Sequence, residues 1–260
     1  MKKSILVLGI ASLASLLSVA AHAEDASPLS FNIGAVSDYR YRGISQTKLK
    51  PAVQGGVDYA FSSGFYVGTW LSTISWIRDA GNFNGADVGG ANLEMDLYGG
   101  YKGEITKDLS YDVGVLSYYY PGSKLGDVAG FKTANTTEIY GALTFGPATV
   151  KYSHSLTTLF GFVDSKNSGY IEAAATFDVG NGFSVTPHVG YQKVRNNSSY
   201  SYTDYSLTGA KDFGFMVVSL ALVGTDTKSV AGNPNSNAYY SPAGKDLGKT
   251  ALVLGLKKTF

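Results

Sequence analysis

Apolar and polar residues alternate with a period of two along most of the chain. In residues 29–35 the apolar side chains fall on odd positions, and small or polar ones fall on even positions. A strand that buries one face has this alternation. Twelve such segments are predicted as strands: residues 29–42, 51–61, 65–75, 91–102, 109–120, 136–145, 148–157, 168–178, 183–194, 202–211, 215–225 and 250–260.

The connections between these segments alternate in length. The short ones are residues 62–64, 103–108, 146–147, 179–182 and 212–214, and the long ones are 43–50, 76–90, 121–135, 158–167, 195–201 and 226–249. Outer-membrane barrels have short periplasmic turns and longer external loops. The pattern therefore predicts an all-β, transmembrane, up-and-down antiparallel β-barrel of about 12 strands with both termini on the periplasmic side.

The N-terminus has the three parts of a secretory signal peptide. Two lysines precede an apolar run, and Ala21-His22-Ala23 forms a cleavage site. The apolar run is short for a membrane anchor. We expect residues 1–23 to be removed and residues 24–260 to form the barrel, exported to the outer membrane of a Gram-negative bacterium.

Composition narrows the class of protein further. The chain has no Cys, 32 Gly and 19 Tyr, and charged residues make up 16%. Without Cys, an exported chain gains no stability from disulfides. Tyr suits the membrane interface, and a closed sheet leaves no unpaired edge in lipid. A soluble β-sandwich with aromatic corners is the alternative. The net charge of +1 carries no basic excess that would indicate nucleic acid.

The C-terminus resembles the closing strand of outer-membrane barrels. Alternating apolar residues lead to a terminal Phe260, although Lys258 replaces the aromatic residue often found two positions earlier. Such a terminus is read by the barrel assembly machinery of the outer membrane. The predicted partners are therefore that machinery, through Phe260, and the lipids of the outer membrane.

Residues 37–47, 51–59 and 64–70 together resemble the opening of the TorF-type putative porins of proteobacteria. These stretches read SDYRYRGISQT, PAVQGGVDY and GFYVGTW. The local similarity covers about forty residues, and the later hairpins match more loosely. The resemblance implies a barrel with passive transport, and it implies neither a substrate nor catalytic residues.

Parity places charges of both signs on the inner face of the predicted barrel. Charges that faced lipid would cost roughly 2–4 kcal/mol for a mid-membrane Arg or Lys. These residues either form a selectivity lining with an acidic excess, which favours cations, or pair across the lumen and close it. A network of Arg40 and Arg42 with Glu94 and Asp96 represents the second case. The predicted pore-lining residues are Asp38, Arg40, Arg42, Asp58, Glu94, Asp96, Asp112, Glu138, Lys151 and Glu172, with Asp178 and Asp204 continuing the set.

Few residues of the sequence suit a catalytic or a metal site. The mature chain keeps two histidines, His154 and His188. His154 shares a strand face with Tyr152 and Leu156, and His188 lies on the lumen side without an evident triad. No His or Cys pair has metal-ligand spacing, and the polar residues of the last long loop are typical of solvated loop. We therefore expect no enzymatic activity, no cofactor and no metal site.

Two main hypotheses follow from the sequence. The first is a porin-like channel for small hydrophilic solutes or ions, with a preference for cations. The second is a closed barrel that acts structurally, or through its external loops as a receptor or adhesin. A barrel-borne hydrolase is a minor third hypothesis. Twelve strands enclose more space than side chains fill in an eight-stranded barrel, and less than the open channel of sixteen strands. Either residues 76–90 or 226–249 could fold inward as a plug.

Overall fold

The chain forms a closed antiparallel β-barrel in a computed structural model, which describes residues 27–227, 239–241 and 244–260. The predicted signal peptide lies outside the described residues. The strands are β1 Leu29–Val36, β2 Arg40–Tyr41, β3 Ile44–Ser45, β4 Ala52–Ala60, β5 Phe65–Thr73, β6 Leu93–Thr106, β7 Leu109–Tyr119, β8 Thr136–Phe145, β9 Ala148–Ser155, β10 Gly169–Ala175, β11 Phe177–Gly180, β12 Phe183–Lys193, β13 Tyr202–Asp212, β14 Val217–Thr225 and β15 Ala251–Thr259.

The barrel wall has twelve strands, joined in sequence order. Each pairs antiparallel with its neighbours, and β1 closes the ring by pairing with both β15 and β4. The short strands β10 and β11 are two parts of one wall strand, interrupted at Thr176, and both pair with β12. The first pair, β1 with β4, runs from Leu29 opposite Tyr59 to Val36 opposite Ala52.

The predicted strands agree closely with the observed ones, with one major exception. Residues 136–145 match in full, and most other wall strands differ by one to three residues at an end. The first strand was predicted to run to residue 42, and that prediction is wrong because β1 ends at Val36. Residues 38–47 leave the wall and fold into the lumen as the two-stranded sheet β2–β3. We call residues 38–47 the inward hairpin.

Alternating residues of the wall strands face outside and inside, as the period of two requires. Large apolar side chains cover the outside, and polar or small ones face the lumen. An aromatic band marks the end of the barrel that carries the short connections, which we call the turn end; the opposite end is the loop end. Exposed Phe residues of this band are Phe61, Phe65, Phe145, Phe177, Phe183, Phe213, Phe215 and Phe260.

One helix, α1 (Trp76–Asn84), lies in the long connection after β5. Ile77 is fully buried and packs in the same apolar cluster as Val88 and Tyr39. The connection that was one of the two predicted plug segments therefore contributes to the filling of the loop end. Within the described residues, no helix is long and apolar enough to span a membrane.

Candidate functional site

The inward hairpin occupies the middle of the lumen. All of its residues are buried except Gln46, which is half-buried. Its two strands pair Arg40 with Ser45 and Tyr41 with Ile44. Tyr39 and Tyr41, which the alternation predicts to face lipid, are both buried inside the barrel. That prediction is wrong because these residues belong to the hairpin and not to the wall.

The tip of the inward hairpin is a tight turn at Arg42 and Gly43. Both residues have positive φ, 46° and 79°, as a two-residue type I′ turn requires. Gly43 lies against strands β13 and β14, where a Cβ atom would come within 2.5 Å of Thr225 Cγ2 and 2.9 Å of Asp204 Cβ. Glycine is therefore required here both by the backbone and by the space.

Arg42 anchors the tip to the wall through several contacts. Its guanidinium donates to Glu138 through Nη2 at 2.7 Å and Nη1 at 3.2 Å, and Nη1 donates to Gln192 Oε1 at 2.5 Å. The cation lies over the rings of Tyr41 and Tyr170, at 4.8 and 4.2 Å. Two-point contact with a carboxylate fixes orientation as well as distance. The tip is therefore held from strands β8, β10 and β12.

Asp38 and Arg40 fix the base of the hairpin. The Asp38 carboxylate accepts from Arg40 Nε at 2.6 Å and from Ser45 Oγ at 2.5 Å. Arg40 Nη1 also donates to the carbonyls of Gly43 and Lys249. The predicted pairing of Arg40 and Arg42 with Glu94 and Asp96 is therefore wrong, since their ion-pair partners are Asp38 and Glu138.

Glu94 and Asp96 face the lumen from β6, as predicted, and both are 1% exposed. Glu94 Oε1 accepts a hydrogen bond from Tyr39 of the hairpin at 2.5 Å. Asp96 Oδ1 has no hydrogen-bond partner among the described residues. These carboxylates therefore lie in the wall behind the hairpin, without a described ion-pair partner.

A full ring of buried residues closes the lumen at the level of the hairpin. Each of the twelve wall strands contributes an inward-facing residue that is at most 8% exposed. A water-filled passage at this level would leave part of the ring exposed, so the described residues close the barrel in this conformation. The ring comprises Val36, Ala52, Trp70, Asp96, Tyr118, Glu138, Ser153, Tyr170, Gln192, Asp204, Ala221 and Val253.

Toward the turn end, the lumen widens into a partly exposed vestibule that carries mixed charge. Asp58 accepts from Tyr98 Oη at 2.5 Å, and Asp112 accepts from Tyr66 Oη at 2.6 Å. Lysines face these carboxylates, and Lys102 Nζ lies 3.8 Å from Asp112 Oδ2. We call this region the turn-end vestibule; its charged members are Asp58, Lys102, Asp112, Lys151 and Lys257.

The sequence did not indicate the grouping around His188. His188 Nε2 lies 3.1 Å from Glu172 Oε2, and Nδ1 lies 3.6 Å from Asp204 Oδ1. Tyr170 Oη donates to Asp204 at 2.9 Å. Because Arg42 lies over the aromatic ring of Tyr170, this bond links the His188 cluster to the tip of the inward hairpin. The residues come from three adjacent strands, and only the register between those strands could have brought them together.

His154 faces outward from β9, on the same face as Tyr152, as predicted. Its two ring nitrogens lie 3.2 Å from Tyr152 Oη and 3.3 Å from Asn167 Oδ1. Neither histidine contacts a serine hydroxyl among these described bonds. No group of three or more His, Cys, Asp or Glu residues suited to a metal ion occurs in the described part of the chain.

Two of the long connections are tied together at the loop end. Asp87 accepts from the Gly89 amide at 2.9 Å and from Lys124 Nζ at 3.0 Å. The hydrogen bond from the Gly89 amide, followed by that from the Lys124 ammonium, lowers the pKa of Asp87. The Asp87 carboxylate in turn raises the pKa of Lys124. The pair is exposed, so solvent screens it and its effect on stability is small.

Residues 20–260 match the family described as bacterial protein of unknown function (Gcw_chp). The chain belongs to this family. The match runs through the whole barrel, including the inward hairpin, and the family's description assigns no activity. Among curated protein sequences, none matches the chain.

Solved structures of outer-membrane porins share the fold of this Gcw_chp protein. A KdgM porin superposes with a TM-score of 0.54 at 7% identity, over 89% of this chain and 99% of the porin. The NanC porin gives 0.53 at 9% identity, over 89% and 98%. A second KdgM structure, in complex with disordered oligogalacturonate, gives 0.52 at 6% identity, over 89% and 98%. At these identities the similarity shows the twelve-stranded barrel fold.

Proposed function

We propose that this Gcw_chp protein is an outer-membrane channel for small hydrophilic solutes or ions, and that the inward hairpin holds it closed in the present conformation. The observation that carries the proposal is the inner face of the barrel. It bears charged residues of both signs around the lumen, whereas the outer face is apolar. An interior of this kind is suited to water and solutes once the hairpin moves.

The proposal includes a preference for cations in the open barrel. The hairpin brings two arginines and one aspartate into the lumen, so its departure removes net positive charge from the path. The wall that remains has more carboxylates than ammonium groups, and carboxylate-lined pores favour cations. The inward-facing wall residues are Asp58, Glu94, Asp96, Asp112, Glu138, Glu172 and Asp204 on the acidic side, against Lys102, Lys151, Lys257 and His188.

The comparisons support the channel and not a particular solute. A KdgM porin has been solved with oligogalacturonate, which is a chain of acidic sugars. An acidic lumen would repel such a polyanion, so we propose cations or neutral solutes for this protein. The resemblance to TorF-type putative porins agrees with passive transport and stays a prediction.

The remaining expectations accompany this proposal. Export through a cleaved signal peptide, contact with outer-membrane lipids and recognition of Phe260 by the assembly machinery fit a barrel with an apolar exterior. The backbone of Phe260 pairs with that of Phe31, and its side chain is exposed at the turn end. The absence of enzymatic activity and of a cofactor also stays a prediction.

Conductance in planar lipid bilayers tests the channel. We expect refolded protein to give small, infrequent openings, and Gly43→Ala to raise the open probability because its Cβ would collide with Thr225 and Asp204. Gly214→Ala is the matched control, since Gly214 has a similar φ of 83° but open space around its Cβ position. A reversal potential in a KCl gradient then reports the preference for cations.

A closed barrel is the second candidate function, and the ring of buried residues favours it. In that case the loop end would act as a receptor or adhesin without solute passage. Folded wild type and folded Gly43→Ala that both fail to conduct would overturn the channel and leave this candidate.

A further inference from the structure

A cavity of about 440 Å³ lies at the loop end of the barrel. Its floor is the inward hairpin, through Tyr41, Ile44 and Gln46, and its walls come from the outer connections, including Phe162 and Tyr200. We call it the outer cavity. Sites for small organic ligands commonly have volumes of about 300–1,000 Å³, so one such molecule fits. The cavity is separated by the hairpin from the charged turn-end vestibule.

Aromatic rings dominate the walls of the outer cavity. Phe162 stacks on Tyr200 with ring centroids 4.9 Å apart, and Tyr202 meets Tyr239 edge to face at 5.1 Å. On the floor, Tyr41 meets Phe160 edge to face at 5.3 Å. These pairs hold one another in place, so the rings form prearranged surfaces for another flat, apolar group.

Three polar side chains around the cavity are committed to the protein. Tyr239 Oη donates to the Tyr200 carbonyl at 2.8 Å, and Asn197 Nδ2 donates to the Val163 carbonyl at 2.8 Å. Gln192 accepts a hydrogen bond from Arg42 and donates one to the Gly169 carbonyl. A sugar presents many hydroxyl groups, each of which needs a partner when it is buried, and these three side chains are already engaged.

Formal charge at the cavity is already neutralised. Asp79 lines the cavity, and its carboxylate accepts from Lys48 Nζ at 2.9 Å and from Ser75 Oγ at 3.1 Å. An anionic ligand would meet this carboxylate, and a cationic one would compete with Lys48. The lining therefore favours an uncharged ligand.

Trp76 contributes a further ring to the lining of the outer cavity. It packs edge to face on Tyr120 with ring centroids 5.4 Å apart, which fixes the indole ring. Its indole Nε1 is buried without an acceptor among the described residues, so the donor itself does not open into the cavity.

From the aromatic walls and the neutral lining, we infer that the outer cavity is a binding site for an uncharged aromatic small molecule. The ring of the ligand packs between the aromatic side chains. The site belongs to the closed conformation, because the inward hairpin that closes the lumen is also the floor of the cavity.

Fluorine NMR of 4-fluorophenol tests the site with the full barrel in lipid nanodiscs. We expect saturable broadening of the ligand signal beyond that caused by empty nanodiscs. Ala80→Trp should fill the cavity, which Ala80 lines, and reduce the affinity about tenfold or more. The anionic 4-fluorobenzoate and methyl α-glucoside, as a competitor, should bind more weakly than 4-fluorophenol.

A matched pair of variants separates the cavity from the lipid-facing surface. Phe162→Ala removes a cavity ring, and Phe215→Ala removes an exposed ring at the turn end. We expect the first to lose affinity and the second to bind as wild type, with folding of each confirmed by resistance to SDS without heating. Equal binding by Phe162→Ala and Phe215→Ala, or no saturable binding by wild type, would overturn the site. Tighter binding of the glucoside would overturn the ligand class.

Discussion

Removal of the Arg42 cation should open the barrel. In the closed conformation Arg42 neutralises Glu138, which is 2% exposed, and also bonds Gln192. Breaking one partner of a buried ion pair costs about 3–5 kcal/mol, because the other charge stays buried and unpaired. We therefore expect Arg42→Met to destabilise the closed conformation, in which Glu138 would lack its cation.

The expected change in population follows from that cost. When the hairpin leaves, water reaches Glu138 and the penalty is relieved, so the whole cost acts on the closed-to-open ratio. At about 1.4 kcal/mol per factor of ten, the open fraction should rise by about two to nearly four orders of magnitude until it saturates. Single-channel recordings measure this directly as open probability.

A double-mutant cycle isolates the ion pair from the loss of a long side chain. Glu138→Gln alone leaves the Arg42 charge buried and should also favour opening. In the double variant Arg42→Met/Glu138→Gln neither charge remains, so the closed state should recover in part. Arg78→Met is the matched control, because Arg78 is an exposed residue on helix α1.

Two results would refute this reasoning. The first is an unchanged open probability in folded Arg42→Met. The second is strict additivity of the two single substitutions, which would mean that Arg42 and Glu138 do not act as a pair. Thermal unfolding of each variant in detergent separates an opened barrel from an unfolded one.

Three further predictions concern selectivity, assembly and export. Glu94→Gln/Asp96→Asn, made in the Gly43→Ala background, should lower the cation preference; an unchanged reversal potential would argue against a role of these carboxylates in the open path. Deletion of Phe260 should reduce the amount of folded barrel in outer-membrane fractions, because its exposed ring and its backbone pairing with Phe31 are both lost; the control is Phe215→Ala, and equal yields would contradict the prediction. Mass spectrometry of the purified protein should give a mature chain that begins at Glu24; a chain that keeps Met1 would refute cleavage.

The wall of the barrel could be predicted from the sequence because one physical rule governs all of it. Every wall strand has one face toward the apolar exterior and one toward the lumen, so alternation marks each strand. The interrupted strand at Thr176 fits this rule as well, since Ile171 and Phe177 keep the same outward parity across the break.

The alternation of apolar and polar residues does not distinguish the inward hairpin from a wall strand. Tyr39 and Tyr41 alternate with Asp38, Arg40 and Arg42 just as wall residues do. In the hairpin, however, both faces are buried, one against aromatic side chains and the other among carboxylates. Length does not separate them either, since residues 29–42 are no longer than β6, which has 14 residues and lies in the wall.

The contacts between side chains in the candidate site could not be predicted from the sequence for a different reason. Parity gave the inward direction of Glu138, Glu172 and Asp204, but not their heights along the barrel axis. Arg42 meets Glu138, 96 residues away, only because the hairpin crosses the lumen at that height. The helix at Trp76–Asn84 also went unpredicted, because it is short and contains one Gly and two Asn, which are poor helix formers.

The direct pairing of β1 with β4 makes the inward hairpin a separable part of the protein. The eight residue pairs from Leu29–Tyr59 to Val36–Ala52 complete the wall without any contribution from residues 38–47. Those ten residues can therefore be shortened, exchanged or grafted while the cylinder around them stays intact. A change confined to this insert therefore alters what fills the lumen and leaves the surrounding wall as it is.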